Sequence, residues 1–229
     1  VLRLCLRHQW KIAFFSPENN PVVYHLRKLI EKLTGRRFQN GCGMTEGLLI
    51  RSEEYLTENV SHISLNGNVT PDRVLAKARE LVVRRGCRII VLDPLNRFDH
   101  NPLPGQTETQ YLSNLLNKFS EFATQYNCLV VVVAHPRKMN RNLVTNTTPR
   151  VEMYDISGSA DFYNKADYGI VVERDKDAGV TRVYVDKVKF KHLGTGGVAS
   201  FIYDLVNGRY LPCQESHDPA VPVEKRISN

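Results

Sequence analysis

Short apolar runs alternate with longer amphipathic stretches through the first half of the chain. The runs are typical of buried β-strands, and apolar positions three or four residues apart are typical of helices packed on a sheet. The predicted strands are residues 11–16, 63–65, 88–92 and 129–134. The predicted helices are residues 22–33, 45–56, 70–85 and 107–126, with the end of another helix in residues 1–9. This order predicts an α/β fold in which helices flank a parallel sheet.

Residue types at the predicted helix ends agree with these boundaries. Thr70 is suited to an N-cap, and Pro71 fits the first helical turn. Gly35 and Gly86 follow predicted helices, where a left-handed C-cap favours glycine. The two strongest strands, 88–92 and 129–134, are therefore predicted to form a β-α-β unit with the helix between them.

The pattern changes after residue 136. A polar stretch and a short helix are followed by three β-rich runs with turn signals such as Asp-Lys-Asp-Ala-Gly. These segments are residues 137–154, 160–166, 168–173, 181–190 and 198–211. Consecutive strands joined by turns predict antiparallel strands at the C-terminal edge of the sheet.

Length and composition are typical of a globular domain with a hydrophobic core. With 229 residues, 42% of them hydrophobic, the chain can bury a large core. We expect one domain over residues 1–212 and a disordered tail over 213–229, where apolar anchors are few. Its apolar runs are far shorter than the ~20 residues of a membrane helix, and the N-terminus does not resemble a secretory signal. A cytoplasmic protein without a membrane partner is predicted.

Positive charge exceeds negative charge. The chain has 31 Lys and Arg against 24 Asp and Glu, a net charge of +7. This balance is compatible with a polyanionic partner. Many basic proteins bind no nucleic acid, so the charge alone does not decide the partner.

Two carboxylates follow predicted strands of the parallel sheet. Asp93 ends the run Ile89 to Leu92, and Glu18 follows the strand at 11–16. Ligands of open α/β sheets bind beyond the carboxyl ends of the strands. One carboxylate could hold Mg²⁺ there, and the other could activate water for hydrolysis of a phosphoanhydride. Alternatively, Asp93 starts a turn with Pro94 and Glu18 is an ordinary solvated turn residue.

His135 follows the apolar run 129–134 and would reach the same edge of the sheet. An imidazole there could hydrogen-bond a phosphate and respond to its loss. The alternative is a surface histidine before a basic loop.

Three lysines and a histidine lie close together in a predicted hairpin. They are Lys187, Lys189, Lys191 and His192. Lysines two residues apart share one face of a strand, so they could act on a nucleotide bound by a neighbouring subunit. Spacing alone slightly favours the alternative, which is protection of an edge strand from aggregation.

Several segments together resemble the RecA-like domain of DnaB-type replicative helicases, and still more that of phage primase-helicases and the related mitochondrial, Twinkle-like helicase. The resemblance covers residues 1–211. Its main segments are residues 14–18 (FFSPE), 89–96 (IIVLDPLN), 132–138 (VVAHPRK), 155–160 (DISGSA) and 187–190 (KVKF). Each is weak alone, and their order and spacing make the resemblance specific.

The resemblance implies ATP and Mg²⁺ as cofactors and assigns roles to the strand-end residues. Glu18 would activate water, Asp93 would hold Mg²⁺ through water as the Walker B aspartate, and His135 would sense the γ-phosphate. Lys187 and Lys189 would reach the nucleotide of the adjacent subunit. The family usually has arginine where Lys189 stands, and lysine lacks the planar fork of guanidinium.

A DNA-binding loop is also implied. The polar stretch at 137–150 falls where the family has loops that face single-stranded DNA. The residues predicted to contact DNA are Arg137, Lys138, Arg141 and Asn142, with the nearby amides of Asn140 and Asn146. Cations and amides suit a phosphate backbone. Because aromatic residues are few there, backbone tracking without base stacking is expected.

One family motif, the phosphate-binding P-loop, is absent from the sequence. The chain contains no G-x-x-x-x-G-K-[ST], and its glycine-rich segments at 41–47 and 194–197 lack the lysine and hydroxyl of that motif. In the family the P-loop lies one helix before the strand that precedes Glu18. We therefore expect a fragment that begins after the P-loop and is inactive alone.

The predicted function is an ATP-dependent replicative DNA helicase domain that forms a hexameric ring and translocates on single-stranded DNA. An N-terminal primase or Toprim domain in the same polypeptide is a possible partner. Two alternatives stay open: a non-enzymatic RecA-fold module for oligomerisation or DNA binding, and another RecA-fold ATPase such as a recombinase or plasmid replication protein.

Overall fold

The computed structural model describes residues 1–39, 41–99, 102, 104–137, 150–156 and 159–213. Its helices are α1 Leu2–His8, α2 Val22–Thr34, α3 Glu46–Asn59, α4 Pro71–Arg85, α5 Glu108–Gln125 and α6 Ser159–Lys165. Its strands are β1 Lys11–Phe15, β2 Val60–His62, β3 Cys87–Leu92, β4 Leu129–Val132, β5 Tyr168–Asp175, β6 Val180–Val188, β7 Gly197–Tyr203 and β8 Tyr210–Cys213.

The first four strands form a parallel sheet in the order β2-β1-β3-β4. β1 and β3 lie inside this sheet and are almost wholly buried, as continuous apolar runs predict. The predicted β-α-β unit is confirmed, since α5 connects the parallel neighbours β3 and β4.

Successive residues of β1 and β3 pack into two different cores because side chains alternate across a sheet. Ala13 and Phe15 contribute to a core with α4 and α5. Ile12 and Phe14 contribute to the opposite core with α1, α2 and α3. Helices therefore cover both faces of the parallel sheet, as the sequence predicts.

Most predicted helix ends are confirmed. Thr70 Oγ1 accepts a hydrogen bond from the backbone N–H of Arg73, and Pro71 begins α4. Gly35 and Gly86 cap α2 and α4 with φ of 69° and 71°, left-handed values that favour glycine.

The predicted strand at 63–65 is wrong in position. β2 follows α3 directly and covers Val60–His62, although this segment is polar in sequence. Val60 is buried and pairs with Ile12, and pairing with β1 outweighs the weaker local apolar signal.

The predicted antiparallel strands are confirmed, but they form a second sheet in the order β5-β6-β7-β8 and do not extend the edge of the parallel sheet. The run predicted at 198–211 is divided into β7 and β8. The turn between β7 and β8 attaches to the end of α2. The Arg209 guanidinium donates to the carbonyls of Lys32 and Leu33 at 2.7 and 2.8 Å, and the Asn207 amide contacts the Gly35 carbonyl. Cations at a helix C-terminus are favourable.

The last strand runs to Cys213, one residue beyond the predicted domain end. The rest of the predicted tail, 214–229, lies outside the described residues. Within the described ranges, no helix is long and apolar enough to cross a membrane.

Candidate active site

Three neighbouring parallel strands end together at one edge of the sheet. Phe15 of β1 pairs with Leu92 of β3, and Leu92 pairs with Val132 of β4. Glu18 lies three residues beyond β1, Asp93 one beyond β3, and His135 three beyond β4. The structure thus places all three predicted residues at the same carboxyl edge.

Asp93 is oriented by hydrogen bonds at this edge. Ser16, which is 9% exposed, donates its hydroxyl to Asp93 Oδ2 at 3.0 Å. The Asn19 amide donates to Ser16 Oγ at 2.8 Å, and Lys28 Nζ donates to Asn19 Oδ1 at 2.9 Å. This line of hydrogen bonds runs from α2 to Asp93 and holds the half-buried carboxylate in place.

Glu18 stands on the short 3₁₀ turn Pro17–Asn19 and is paired with a cation. Its Oε1 accepts from Arg97 Nε at 3.0 Å, and the two side chains are 39% and 56% exposed. An exposed ion pair contributes ~1 kcal/mol or less. Glu18 can therefore exchange Arg97 for water or a ligand at little cost.

His135 is exposed where the chain leaves β4. The following residues are tethered, since Pro136 forms an antiparallel bridge with Ile156 and the Arg137 N–H donates to the Asp155 carbonyl at 2.8 Å. His135 is thus held at the edge that Asp93 and Glu18 share.

The two lysines assigned to a neighbouring site have different environments within the chain. Lys187 Nζ donates to the carbonyls of Tyr163 and Asn164 at the end of α6. Lys189 Nζ pairs with Asp167 Oδ1 at 2.7 Å, and both side chains are more than half exposed. Lys187 is therefore engaged with α6, whereas Lys189 is accessible from outside the chain.

Edge protection stays an alternative for Lys187, which also contacts α6. β6 pairs with β5 on one side and with β7 on the other through Val185. Lys187 lies beyond this doubly paired part, where β6 pairs with β5 alone, and its Nζ donates to backbone carbonyls at the end of α6.

The predicted DNA contacts fall mostly outside the described residues. Lys138, Arg141 and Asn142 lie there, as do Asn140 and Asn146. Arg137 is described. Its guanidinium lies 3.6 Å from the Asp155 carboxylate, and its side chain is 68% exposed.

The chain is similar in sequence to the Twinkle homolog protein, chloroplastic/mitochondrial, of Arabidopsis thaliana, with 36% identity over 226 residues. That alignment covers 93% of the chain and 30% of the relative. The chain is similar to the RecA-like domains of DnaB-type and Twinkle-type proteins. No family model matches it.

Solved structures share the fold. A solved ATPase domain has a TM-score of 0.70 at 15% identity, covering 91% of this chain and 76% of that one. A DnaB-like replicative helicase, solved in a study of its interactions with primase, has the same score and identity, with coverage of 91% and 52%. The RadB recombinase has a TM-score of 0.60 at 14% identity, covering 93% and 83%. Both the RecA-like prediction and the DnaB and Twinkle resemblance are confirmed.

The oxygen donors of this RecA-like edge fit a magnesium ion bound with a nucleotide. No group of three or more metal-ligating residues occurs within the described ranges. Mg²⁺ in nucleotide sites commonly needs only one or two carboxylates, because waters and phosphates supply the other ligands. Asp93 meets that requirement, with Ser16 fixing its orientation.

The glycine-rich segments of this RecA-like chain are not placed where a loop could bind the phosphates. Gly41 and Gly43 lie between α2 and α3, and Gly194 and Gly197 lie around the start of β7. Neither segment connects a strand of the parallel sheet to a following helix, the context in which a glycine-rich loop binds phosphate.

Sequence reasoning missed the residues that orient the two carboxylates. Ser16 directly follows β1 and precedes Glu18 by two residues. This position at the carboxyl edge could have indicated that Ser16 belongs to the site. Asn19 and Lys28 form a local contact across the start of α2. Arg97 pairs with Glu18 from 79 residues away, and no sequence spacing indicates that contact.

Proposed function

We propose that this chain is the motor part of an ATP-dependent replicative DNA helicase, acting with a phosphate-binding loop that this sequence does not contain. The observation that carries the proposal is the meeting of Glu18 and Asp93 at the carboxyl edge, with Ser16 holding Asp93. The similarity to the Twinkle homolog supports it over most of the chain.

Each residue has a distinct role in this proposal. Bound MgATP supplies the phosphoanhydride that is hydrolysed. Asp93, oriented by Ser16, holds the magnesium through water. Glu18 leaves Arg97 and accepts a proton from the attacking water. His135 hydrogen-bonds the terminal phosphate and registers its release.

The ring and the DNA contacts belong to the same proposal. Lys189 is exposed and reaches the nucleotide of the next subunit in a hexamer after leaving Asp167. Lys187 stays at the end of α6 and positions this segment. Arg137, Lys138, Arg141 and Asn142 bind the backbone of single-stranded DNA. A primase or Toprim domain precedes the motor in the same polypeptide.

The cellular location remains a prediction. The sequence predicts the cytoplasm, and the name of the chloroplastic/mitochondrial Arabidopsis relative makes chloroplasts and mitochondria the alternative. Imaging of the full-length protein fused to a fluorescent protein distinguishes them.

The decisive experiment uses a polypeptide in which a P-loop segment precedes this chain. Wild type should hydrolyse ATP and respond to single-stranded DNA, whereas Glu18→Gln should abolish turnover and keep nucleotide binding. Asp93→Asn should also weaken Mg²⁺-dependent binding. The 229-residue chain alone should show no turnover. Binding of MgATP and DNA without hydrolysis by the wild-type polypeptide would instead support a non-enzymatic RecA-fold module.

A further inference from the structure

Two tyrosines form a partly exposed stack beside the predicted DNA loop. The rings of Tyr154 and Tyr163 lie 4.6 Å apart with an interplanar angle of 24°. Tyr154 is 48% exposed, and Tyr163 is half-buried beneath it on α6. A large aromatic ring is thus presented to solvent on a second ring.

The backbone around Tyr154 is held on both sides. Tyr154 is the middle residue of the 3₁₀ turn Met153–Asp155, and its two neighbours are buried. Asp155 accepts a hydrogen bond from the Glu152 N–H at 2.8 Å, and Met153 packs closely against Gly169 of β5. Tyr154 therefore projects from a fixed turn, so little conformational entropy is lost when a ligand stacks on it.

Two cations lie near this stack. Lys187 Nζ lies 5.0 Å from the centre of the Tyr163 ring, and Arg137 pairs with Asp155, the residue after Tyr154. The exposed carboxylate of Glu152 offsets part of this charge. Residues 137–150, which lead into the turn, include four Lys and Arg and no acidic residue.

We infer that Tyr154 is a stacking platform for a base of single-stranded DNA, with the exposed guanidinium of Arg137 on a neighbouring phosphate. Aromatic rings combined with a basic track are the usual means of binding single strands without sequence preference. The inference rests on the proposed function, since it assigns a base-binding residue to the proposed DNA site. It differs from the sequence expectation of backbone tracking without stacking.

The test is fluorescence anisotropy of the 229-residue chain with labelled oligo(dT) and with an abasic oligonucleotide of equal length. Wild type should prefer oligo(dT) by about tenfold, within the range that stacking of one base produces. Tyr154→Ala should weaken oligo(dT) binding by about tenfold and remove the preference. Tyr154→Phe, which keeps the ring, should retain both.

Tyr210→Ala is the matched control. Tyr210 is 45% exposed and packs against Tyr203 at 5.1 Å, but it lies on β8 at the outer edge of the second sheet. It should leave binding to both oligonucleotides unchanged. Unchanged far-ultraviolet circular dichroism of Tyr154→Ala would show that the turn remains folded.

The possible failures are distinguishable. If wild type binds both oligonucleotides equally and Tyr154→Ala binds as tightly, DNA binding stands and the stacking platform is refuted. If wild type binds neither, the proposed DNA site fails and the platform with it. If Tyr154→Ala changes sedimentation of the chain but not DNA binding, the stack is a contact between copies, which also overturns the inference.

Discussion

Acid should destabilise this protein through a histidine pair, in which His25 is buried and His62 is half-buried. His25 on α2 and His62 on β2 place Nδ1 and Nε2 3.0 Å apart, and both rings pack against Phe14. Burial, the His62 ring and then Lys28 and Lys32 lower the pKa of His25 from 6.5 to about 4. Burial also lowers the pKa of His62. At neutral pH, His25 is therefore uncharged.

The sign of the effect follows from proton uptake. The unfolded chain protonates His25 as pH falls through 6.5, whereas the folded chain does so only near 4. The stability that uncharged His25 contributes is thus complete above pH 6.5 and lost on acidification. At about 1.4 kcal/mol per pH unit, the loss is about 2 kcal/mol by about pH 5 and about 3 kcal/mol by about pH 4.

Urea unfolding of the 229-residue chain at about pH 7 and about pH 5 tests this. Wild type should lose about 2 kcal/mol more than His25→Gln between these conditions, since glutamine binds no proton. His8→Gln, at an exposed histidine, is the matched control. Parallel losses in wild type and His25→Gln would mean that His25 is protonated in the folded state, contrary to the burial argument.

Acidification should also affect the candidate active site, because α2 carries Lys28. Lys28 donates to Asn19, which donates to Ser16, the residue that holds Asp93. If acid loosens α2 from β2, this line of hydrogen bonds should weaken before global unfolding. Hydrogen exchange at about pH 5 should then report faster opening of α2 than of α5.

Three further predictions concern charged contacts. In a P-loop-containing polypeptide, Arg97→Gln should change ATP turnover less than about fivefold, because an exposed pair with Glu18 contributes ~1 kcal/mol or less; a hundredfold loss would mean that Arg97 contacts substrate. In the same polypeptide, Lys189→Ala should impair ATP turnover more than nucleotide binding, and in mixed rings it should depress the activity of wild-type neighbours. Asp167→Asn should have neither effect. A loss of activity only in proportion to the fraction of mutant subunits would refute a role of Lys189 between subunits. Arg209→Ala should lower the free energy of unfolding in urea by about 1 kcal/mol through two lost hydrogen bonds; no change would refute that contribution.

Three of the four parallel strands, and the edge where the site lies, could be predicted from the sequence. Continuous apolar runs predicted the strands β3, which is buried, and β4, which is partly buried, and the α/β alternation predicted that they are parallel. The position of Asp93 at the carboxyl edge then followed from its place directly after a strand. The position of β2 was predicted wrongly, because its polar residues carry no local strand signal and only its pairing with β1 defines it.

The contact between Arg97 and Glu18 could not be predicted, because it joins residues from distant segments through loop geometry. Arg97 reaches Glu18 only after a 3₁₀ turn follows Asp93. Ser16 is different, since its register opposite Asp93 follows from the pairing of β1 with β3. Contacts that follow from strand register can therefore be predicted from the sequence, whereas contacts that depend on loop conformation cannot.

The lysine pair shows why residue spacing alone is a weak guide to function. Equal spacing suggested one shared role for Lys187 and Lys189, but Lys187 binds the carbonyls that end α6. Moving Lys187 into a neighbouring site would break both hydrogen bonds at the end of its own helix, each contributing about 0.5–1.5 kcal/mol. Lys189 gives up only an exposed pair with Asp167. Of the two lysines, Lys189 alone can change partners cheaply, and any action between subunits should depend on it.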